Sequence, residues 1–371
     1  MTPLAEIIAA QIRADGPMTL ADYMAICLLH PGHGYYATRD PFGRAGDFTT
    51  APEIHQLFGE ICGLALAQAW IDQGRPAPFT LAEPGPGRGT LMADMRRAIG
   101  MVPGMADAAQ VTLIEASAHL RGVQRERLGA VTHLDRVDDL PQAPLFLIAN
   151  EFFDALPIRQ FQRVAGGWAE RMVTLTDDRL SLALAPPVDR PPHAPDGEIR
   201  EDCAEALPVI EAVAARIARH GGAAIIIDYG MFDGHGDSLQ ALRRHAPEGI
   251  FDHPGEADLT AHVDFAPLAA AALRAGAAVS TPAPQGAWLD ALGIAQRAAR
   301  LTQAGDAAAE AARLRLTDPA QMGQLFKVLG IWPRDAARVP GLTPLPVHDP
   351  GRALDLAPAP AGEPSAGHDT P

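Results

Sequence analysis

One short stretch of the sequence combines the side chains and the spacing that a ligand-binding turn needs. An apolar segment ends at Glu83, and glycines follow at alternate positions as Gly85, Gly87 and Gly89 before a helical pattern begins. Glycine lets the backbone turn sharply and approach a ligand closely, and a helix start offers unpaired N–H groups and the positive end of the helix dipole. We therefore predict that this turn binds a nucleotide-like ligand.

The spacing of these glycines narrows the choice of ligand. A dinucleotide-binding turn has its third glycine three residues after the second, and Thr90 occupies that position here. A phosphate-binding loop would end in Gly-Lys-Ser/Thr, and the turn contains no lysine. Glu83 would repel a pyrophosphate, whereas it could receive a cationic amino-acid moiety such as that of S-adenosylmethionine. Glycine-rich turns between a strand and a helix also arise from packing alone, and that alternative stays open.

Polar side chains at the ends of the next two predicted strands extend this candidate site. Glu115 lies 26 positions after Gly89, and ligands of open parallel sheets bind beyond the carboxyl ends of the strands. Its carboxylate could accept hydrogen bonds from both ribose hydroxyls, and a solvated acid at a strand end is the alternative. His133, Leu134 and Asp135 follow the third strand and could flank an adenine ring, although a histidine there can also be structural.

A second polar turn follows the fourth predicted strand. It carries Asn150, Glu151 and Asp154 beside two aromatic side chains, Phe152 and Phe153. Two acids and a carboxamide against an aromatic wall could hold a cationic group. The phenylalanines could equally fill the core, and we expect that at least one of them does.

Hydrophobic periodicity predicts the elements that position these side chains. Residues 1–73 predict a mainly helical N-terminal region with a loop that closes on the cofactor or substrate. Residues 74–155 and 201–330 alternate strands with helices, which is typical of a parallel sheet. Residues 156–200 interrupt this alternation with an inserted antiparallel β hairpin. The composition of residues 350–371 predicts a disordered tail.

The strands of the main sheet are predicted at 79–82, 111–115, 130–133, 145–149, 223–228 and 277–281. The helices are predicted at about 89–99, 117–128, 203–220 and 265–275, and from 286 to about 328. A polar, glycine-rich loop is predicted after residue 228. Together these segments predict an α/β fold.

Composition bears on the partners and the compartment. The 371 residues include 30 Lys and Arg against 45 Asp and Glu, which gives a formal net charge of −15. This balance argues against nucleic acid as the main partner and is compatible with a basic protein substrate, although an acidic surface alone explains it equally well. The three cysteines are far apart, which fits a reducing compartment. No targeting pattern and no transmembrane-length apolar run is visible, so we expect no membrane insertion and a cytoplasmic location.

Two groups of side chains have a spacing that suggests metal binding. Cys27, His30 and His33 form one group, and His235 and Asp237 form the other. Neither has a second cluster of ligands to complete a site, so we expect no metal.

Several motifs resemble the MidA family of class I methyltransferases. The resemblance extends from about residue 20 to about residue 330. The matching segments are Gly46–Glu60, Glu83–Leu91, Ala149–Pro157, Ile227–Gly230, Pro254–Phe265 and Met322–Val328. The resemblance implies a Rossmann-like class I methyltransferase sheet, S-adenosylmethionine as cofactor and a protein arginine as acceptor.

The resemblance also implies a partner. The family includes the mitochondrial assembly factor of respiratory complex I, which symmetrically dimethylates an arginine of a complex I subunit. A complex I subunit is therefore the protein substrate that the resemblance predicts. Because the sequence has no transit segment, we do not extend the mitochondrial location to it.

Residue roles follow from position in the matching motifs. The resemblance implies that Gly85, Gly87 and Gly89 form the cofactor turn and that Glu115 binds the ribose. The whole predicted cofactor site is Glu83, Gly85, Gly87, Gly89, Glu115, Asp135 and Asn150. The family usually has another polar residue where His55 stands, so the role of His55 stays open.

A guanidinium group is a poor nucleophile until a carboxylate orients it and localises its charge. Glu151 is the first candidate for this catalytic role, Asp154 the second and Asp228 the third. Asp47 and Glu53 could close over the cofactor or guide the acceptor.

Weaker candidates and two other functions remain open. Tyr35 and Tyr36 could take part, although aromatic pairs usually only pack. One alternative function is a non-catalytic, S-adenosylmethionine-binding assembly chaperone. The other is a nicotinamide-dependent oxidoreductase, which the glycine spacing already disfavours.

Overall fold

The computed structural model describes residues 2–38, 50–189, 194–232 and 236–346. Asp47, His235 and the predicted tail at 350–371 lie outside these ranges. The helices are α1 (Pro3–Asp15), α2 (Leu20–Leu29), α3 (Tyr35–Thr38), α4 (Ala51–Ile54), α5 (Gln56–Asp72), α6 (Thr90–Ile99), α7 (Met105–Ala108), α8 (Ala118–Leu128), α9 (Ala206–His220), α10 (Phe265–Arg274), α11 (Gln285–Ala291), α12 (Ile294–Gln303), α13 (Ala309–Thr317) and α14 (Met322–Leu325), with a 3-10 turn at Val137–Asp139.

The strands are β1 (Met18–Thr19), β2 (Phe79–Pro84), β3 (Ala109–Ile114), β4 (Thr132–Leu134), β5 (Leu145–Asn150), β6 (Arg159–Val164), β7 (Gly167–Thr176), β8 (Arg179–Leu184), β9 (Ile199–Asp202), β10 (Gly222–Met231), β11 (Gln240–Arg243), β12 (Ala246–Glu248), β13 (Asp258–Thr260), β14 (Val263–Asp264), β15 (Ala277–Val279), β16 (Ala283–Pro284) and β17 (Phe326–Pro333). Within the described parts of the chain, no helix combines the length and the apolarity needed to cross a lipid bilayer.

The main sheet has the order β15–β17–β10–β5–β2–β3–β4, with β14 and β16 as short additions. The five strands from β10 to β4 are parallel. By contrast, β17 is antiparallel to β10, and β15 is antiparallel to β17. Helices connect the parallel neighbours, so the predicted α/β fold is confirmed.

Side chains along β10 alternate between two hydrophobic layers. Ile225 and Ile227 face the layer formed with α5, α6 and α11 to α13. Ala224 and Ile226 face the layer formed with α9 and α10. Strands that are buried on both faces read as continuous apolar runs, which explains why β2, β5 and β10 were visible in the sequence.

A smaller sheet is built around the hairpin of β6 and β7. This hairpin turns at Ala165 and Gly166, and β1, β8 and β9 pair with its strands. Helices α1 and α2 pack against this sheet and β13 in a separate apolar cluster that includes Ile158, Val173 and Leu259. We call α1 to α3, β1, β6 to β9 and β11 to β13 the accessory unit.

Three parts of the chain differ from the prediction. The helical interpretation up to about residue 328 was wrong at its end, because Phe326 begins strand β17 and pairs with Tyr229 of β10. The loop predicted after residue 228 contains β11, β12 and β13. Helix α5, predicted within the N-terminal region, packs against the main sheet and not against α1 and α2.

Candidate functional site

A cavity of about 1060 Å³ lies beyond the carboxyl ends of β2, β3, β4 and β5. Its walls also include side chains of α2, α4, β13 and α14. Ligands of open α/β sheets bind at this edge, and the volume is sufficient for a nucleoside cofactor together with an acceptor side chain.

The glycine turn after β2 forms one end of the cavity. Gly85, Gly87 and Gly89 have positive φ angles of 62°, 52° and 75°, a conformation that L side chains rarely adopt. A Cβ atom on Gly85 would lie 3.0 Å from a ring carbon of Phe152, and one on Gly89 would lie 3.0 Å from a methyl group of Leu128. The turn is therefore restricted to glycine by both backbone conformation and space.

Glu83 lies behind this turn as a buried acid. Its side chain lines the cavity at 3% exposure, and its Oε2 has no hydrogen-bond partner among the described residues. Burial raises the pKa of Glu83 well above its ordinary value, although a hydrogen bond from the backbone N–H of Met92 acts in the opposite direction. A buried carboxylate oxygen without a partner fits a cationic ligand group, such as the ammonium of an amino-acid moiety.

Glu115 follows β3 and is held by two hydrogen bonds. Its Oε1 accepts from the backbone N–H of Ser117 at 2.7 Å, and its Oε2 accepts from Nε2 of Gln124 at 3.1 Å. Burial raises the pKa of Glu115, and the Ser117 N–H and Gln124 lower it. The carboxylate lines the cavity beside the glycine turn, as the ribose role requires.

Arg121 braces the loops that follow β3 and β4. Its Nε donates to the carbonyl oxygen of Glu115 at 2.7 Å, and its Nη2 donates to the carbonyl oxygen of Leu134 at 3.1 Å. The same nitrogen pairs with Asp135 at 2.5 Å. Asp135 is largely exposed at the rim of the cavity, whereas the ring of His133 binds Gln124.

Gln124 is a site residue that sequence reasoning missed. The side chain is fully buried, and its Nε2 donates to the carbonyl oxygen of Gly87 at 2.7 Å as well as to Glu115. Its Oε1 lies 2.9 Å from Nε2 of His133. The amide of Gln124 thus joins the ends of β2, β3 and β4. The sequence did not indicate this role, because a glutamine in the middle of helix α8 belongs to no recognisable motif.

The turn after β5 forms the middle of the cavity. Glu151 has a positive φ of 50°, and its Oε1 accepts from Nδ2 of Asn150 at 2.9 Å and from the backbone N–H of Ala51 at 3.2 Å. Oδ1 of Asn150 is buried without a hydrogen-bond partner in the described chain. The backbone strain and the contact from α4 hold the Glu151 carboxylate in one orientation.

Asp154 lies in the same turn and is almost completely buried. Burial raises the pKa of Asp154 to about 6, and a hydrogen bond from the Tyr229 hydroxyl opposes this rise. Burial, and then the charge of Asp154, raise the pKa of Glu151 to about 7. Oδ1 of Asp154 has no partner within the described ranges. The two carboxylates therefore lie in an environment that favours a bound cation.

Asp228 lies behind the turn and not in the cavity wall. It is completely buried, and its Oδ2 accepts the backbone N–H groups of Phe153 and Asp154 at 3.0 and 3.3 Å. Its Oδ1 accepts the backbone N–H of Tyr229. The structure thus makes Asp228 a support for the turn, and burial raises its pKa well above the ordinary value.

The other predicted residues separate into cavity and core. Phe152 lines the cavity, whereas Phe153 is buried in the core, as expected for at least one of the pair. Glu53 lines the cavity and its Oε1 accepts from the Thr90 hydroxyl at 2.5 Å. His55 caps α5 through Nδ1, and its Nε2 contacts Asp306 at 2.9 Å, away from the cavity.

The predicted tyrosine pair also separates. Tyr36 lines the cavity and its hydroxyl donates to Asp258 at 2.9 Å, whereas Tyr35 is buried in the accessory unit.

In the part of the chain that the structure describes, no group of three or more His, Cys, Asp or Glu side chains could hold a metal ion.

Fold and site together define a class of protein. A parallel sheet with one antiparallel strand beside β10, a glycine turn after β2 and an acid after β3 form a Rossmann-like class I methyltransferase. A family model of S-adenosyl-L-methionine-dependent methyltransferases matches residues 61–283. The chain belongs to this family and is an enzyme with S-adenosyl-L-methionine as its cofactor.

Curated relatives extend the match over most of the chain. The protein arginine methyltransferase NDUFAF7 of Rattus norvegicus is 34% identical, over 91% of this chain and 86% of its own length. The homologue in Drosophila melanogaster is 35% identical over 89% of this chain and 85% of its own length. The resemblance to the MidA family is thereby confirmed.

A solved structure agrees with the fold and the cofactor. A protein from Burkholderia thailandensis, crystallised with bound S-adenosyl-homocysteine, is 31% identical and superposes with a TM-score of 0.78. The match covers 89% of this chain and 91% of that protein. The unpaired oxygens of Glu83 and Asn150 fit the polar groups of such a ligand.

The expected cytoplasmic location was wrong. The relatives from Rattus norvegicus, Drosophila melanogaster and Danio rerio are all named as mitochondrial proteins. The lack of a visible targeting pattern in this sequence therefore does not support a cytoplasmic location.

Proposed function

We propose that this methyltransferase symmetrically dimethylates an arginine of a protein substrate, and that the substrate is a subunit of respiratory complex I. The observation that carries the proposal is the pair of carboxylates in the turn after β5, Glu151 and Asp154. The names of the relatives as protein arginine methyltransferases support the choice of arginine. The motif resemblance to the family of the complex I assembly factor supports the choice of subunit.

The charge of the cavity wall favours a cationic acceptor. Among the described residues, nine acids and three arginines line the cavity. The acids are Glu53, Glu83, Glu115, Asp135, Asp138, Glu151, Asp154, Glu205 and Asp258, and the arginines are Arg88, Arg136 and Arg315. An acidic, partly buried cavity concentrates cations and repels anionic acceptors.

The residues of this chain can prepare a guanidinium for reaction. The bound cofactor would supply a methyl group on a sulfonium, and transfer of this group to an aligned nitrogen would leave S-adenosyl-homocysteine. Glu151 would accept N–H bonds from the guanidinium and draw the positive charge toward one side, which leaves electron density on the opposite nitrogen. Asp154 would receive a further N–H, and the proton lost on methylation would pass to a carboxylate or to water. Phe152 would exclude water from the reacting atoms.

The test compares Glu151→Gln with the wild type in methyl transfer. Purified protein and methyl-labelled S-adenosylmethionine are added to an extract of cells in which the gene is deleted, and mass spectrometry locates labelled arginines. We expect the wild type to label a complex I subunit and Glu151→Gln to lose at least about 100-fold in rate. Both proteins should bind S-adenosyl-homocysteine equally, as measured by calorimetry.

An exposed acid provides the matched control. Glu126 lies on the outer face of α8, and Glu126→Gln should label the acceptor at the wild-type rate. Unchanged labelling by Glu151→Gln would contradict the role of Glu151. Stable binding of a subunit by the wild type without any label transfer would favour the alternative, a non-catalytic assembly chaperone.

A further inference from the structure

The matching motif Pro254–Phe265 contains strand β13 and lies at the cavity. Its strand β13 forms a wall of the cavity to which Asp258, Thr260 and His262 contribute side chains. Asp258 is 3% exposed. A carboxylate at such depth is stabilised by hydrogen-bond donors or by positive charge around it.

Tyr36, far from Asp258 in the sequence, forms a hydrogen bond with it. The Tyr36 hydroxyl donates to Oδ1 of Asp258 at 2.9 Å, between residues 222 positions apart. Burial, and then the charges of Asp258 and Asp154, raise the pKa of Tyr36 well above its ordinary value. Tyr36 therefore keeps its proton and remains a donor at neutral pH.

Tyr229 links the β13 wall to Asp154 in the turn after β5. The Tyr229 hydroxyl hydrogen-bonds with both Asp154 and Thr260, so it connects the turn to β13. The charge of Asp154 also acts on Tyr36. Glu151, Asp154 and Asp258 all line the same cavity, and Tyr229 connects the turn that carries the first two with the strand that carries the third.

A guanidinium has more donors than a single carboxylate can satisfy. Arginine carries five N–H groups, and a bidentate carboxylate engages two of them. The other donors need acceptors when the group is buried, because unpaired buried donors are costly. The acceptor arginine therefore needs oxygen atoms from a second direction.

We propose that Asp258, positioned by Tyr36, is a further guanidinium-binding carboxylate that receives the N–H groups left unpaired by Glu151 and Asp154. This inference rests on the proposed function, since both concern the same arginine. Asp258 contributes to acceptor binding, and Tyr36 is a positioning residue that acts through it. The cofactor end of the cavity is not involved.

The test measures binding of a small guanidinium probe and needs no identified substrate. N-acetyl-arginine amide is titrated into the full chain saturated with S-adenosyl-homocysteine, and N-acetyl-lysine amide serves as the chemical control. We expect Asp258→Asn to weaken binding of the arginine probe by about tenfold or more. Its affinity for S-adenosyl-homocysteine should equal that of the wild type, which also verifies folding.

Tyrosine variants separate positioning from general stability. Tyr36→Phe should weaken binding of the arginine probe by about threefold to tenfold, because Asp258 loses its donor. Tyr23→Phe is the matched control, since it removes another hydroxyl with a known backbone partner in the accessory unit, away from the cavity. Tyr23→Phe should bind the probe as the wild type does.

The outcomes distinguish the two proposals. If the wild type binds the arginine probe and both Asp258→Asn and Tyr36→Phe bind it equally well, the role of Asp258 is overturned while the proposed function stands. If the cofactor-saturated wild type does not bind the arginine probe in preference to the lysine probe, arginine methylation itself is contradicted.

Discussion

Burial and charge repulsion both oppose ionisation of the Glu151 carboxyl group. They raise its pKa from 4.5 to about 7, so a large part of the unliganded protein carries a neutral Glu151 at neutral pH. A cation that enters the cavity favours the ionised form and lowers this pKa. The free protein and the acceptor complex therefore differ in the protonation of one residue.

We predict that kcat/KM for methyl transfer rises with pH and reaches half its plateau near pH 7. The sign follows because the ionised carboxylate binds the guanidinium, and ionisation becomes more complete as pH increases. The profile is measured with a fixed acceptor under steady-state conditions. The residual activity of Glu151→Gln should not show this rise of kcat/KM with pH. A wild-type profile that is flat between pH 6 and 8 would show that Glu151 does not control acceptor binding.

Several residues that line the cavity were visible in the sequence, whereas their contacts were not. Glu83, the glycine turn and Glu115 were visible because they lie in one strand–turn–helix unit and at the end of the next strand. The contact of Tyr36 with Asp258 was not visible, because 222 residues separate the two and neither has a local pattern. The buried position of Asp228 depends on packing behind the turn after β5. The spacing of residues in the sequence gives no indication of this packing.

Helix α8 acts as a brace for the cofactor end of the cavity. Arg121, Gln124 and Arg127 are spaced three residues apart and therefore share one face of the helix. Arg121 contacts the loops after β3 and β4, Gln124 the glycine turn and Glu115, and Arg127 the hydroxyl of Thr90 at the start of α6. One helix thus sets the relative positions of three strand ends.

We predict that Gln124→Met weakens binding of S-adenosyl-homocysteine by about tenfold, because Glu115 and the Gly87 carbonyl lose a shared donor while side-chain volume is kept. Calorimetry with the purified variant measures the affinity. Gln68→Met, on an exposed position of α5, is the control and should bind as the wild type does. Equal affinities of the wild type, Gln124→Met and Gln68→Met for S-adenosyl-homocysteine would contradict a role of Gln124 in cofactor binding.

At the level of elements, the prediction succeeded where strands were short, apolar and separated by helices. Strands β2, β3 and β5 were predicted within about two residues at each end, because burial on both faces gives uniform apolar runs. Strand β17 was missed because the short helix α14 leads directly into it, and its antiparallel place beside β10 is set by packing. Strands β11 to β13 are too short to show a period.

The main sheet and the accessory unit both contribute walls to the cavity. The main sheet supplies the cofactor end, and the accessory unit supplies Tyr36 and Asp258 at the acceptor end. Most acids of the wall are at least partly accessible to ions, and the whole chain carries a formal charge of −15. Long-range attraction of a basic segment should therefore contribute to acceptor binding.

We predict that raising NaCl from about 50 to about 500 mM increases KM for the protein acceptor several-fold, because added ions screen the acidic wall. The affinity for S-adenosyl-homocysteine should change by less than about twofold, since its amino-acid moiety is zwitterionic. Steady-state kinetics and calorimetry at matched salt concentrations provide the two measurements. A KM that is independent of salt would mean that the acceptor is recognised by contacts other than charge.

The hydroxyl of Thr2 donates to the carbonyl oxygen of Pro254 at 2.8 Å, and α1 packs in the same cluster as Leu259. Helix α1 precedes its partners in the chain: it contacts β7 and β8, about 150 residues further along, and the carbonyl that Thr2 binds lies 252 positions away. Strands β2 to β5, around the glycine turn, end at residue 150, about 100 residues before β13 begins. During synthesis the cofactor end of the cavity can therefore assemble before the acceptor end, whose β13 wall is made later.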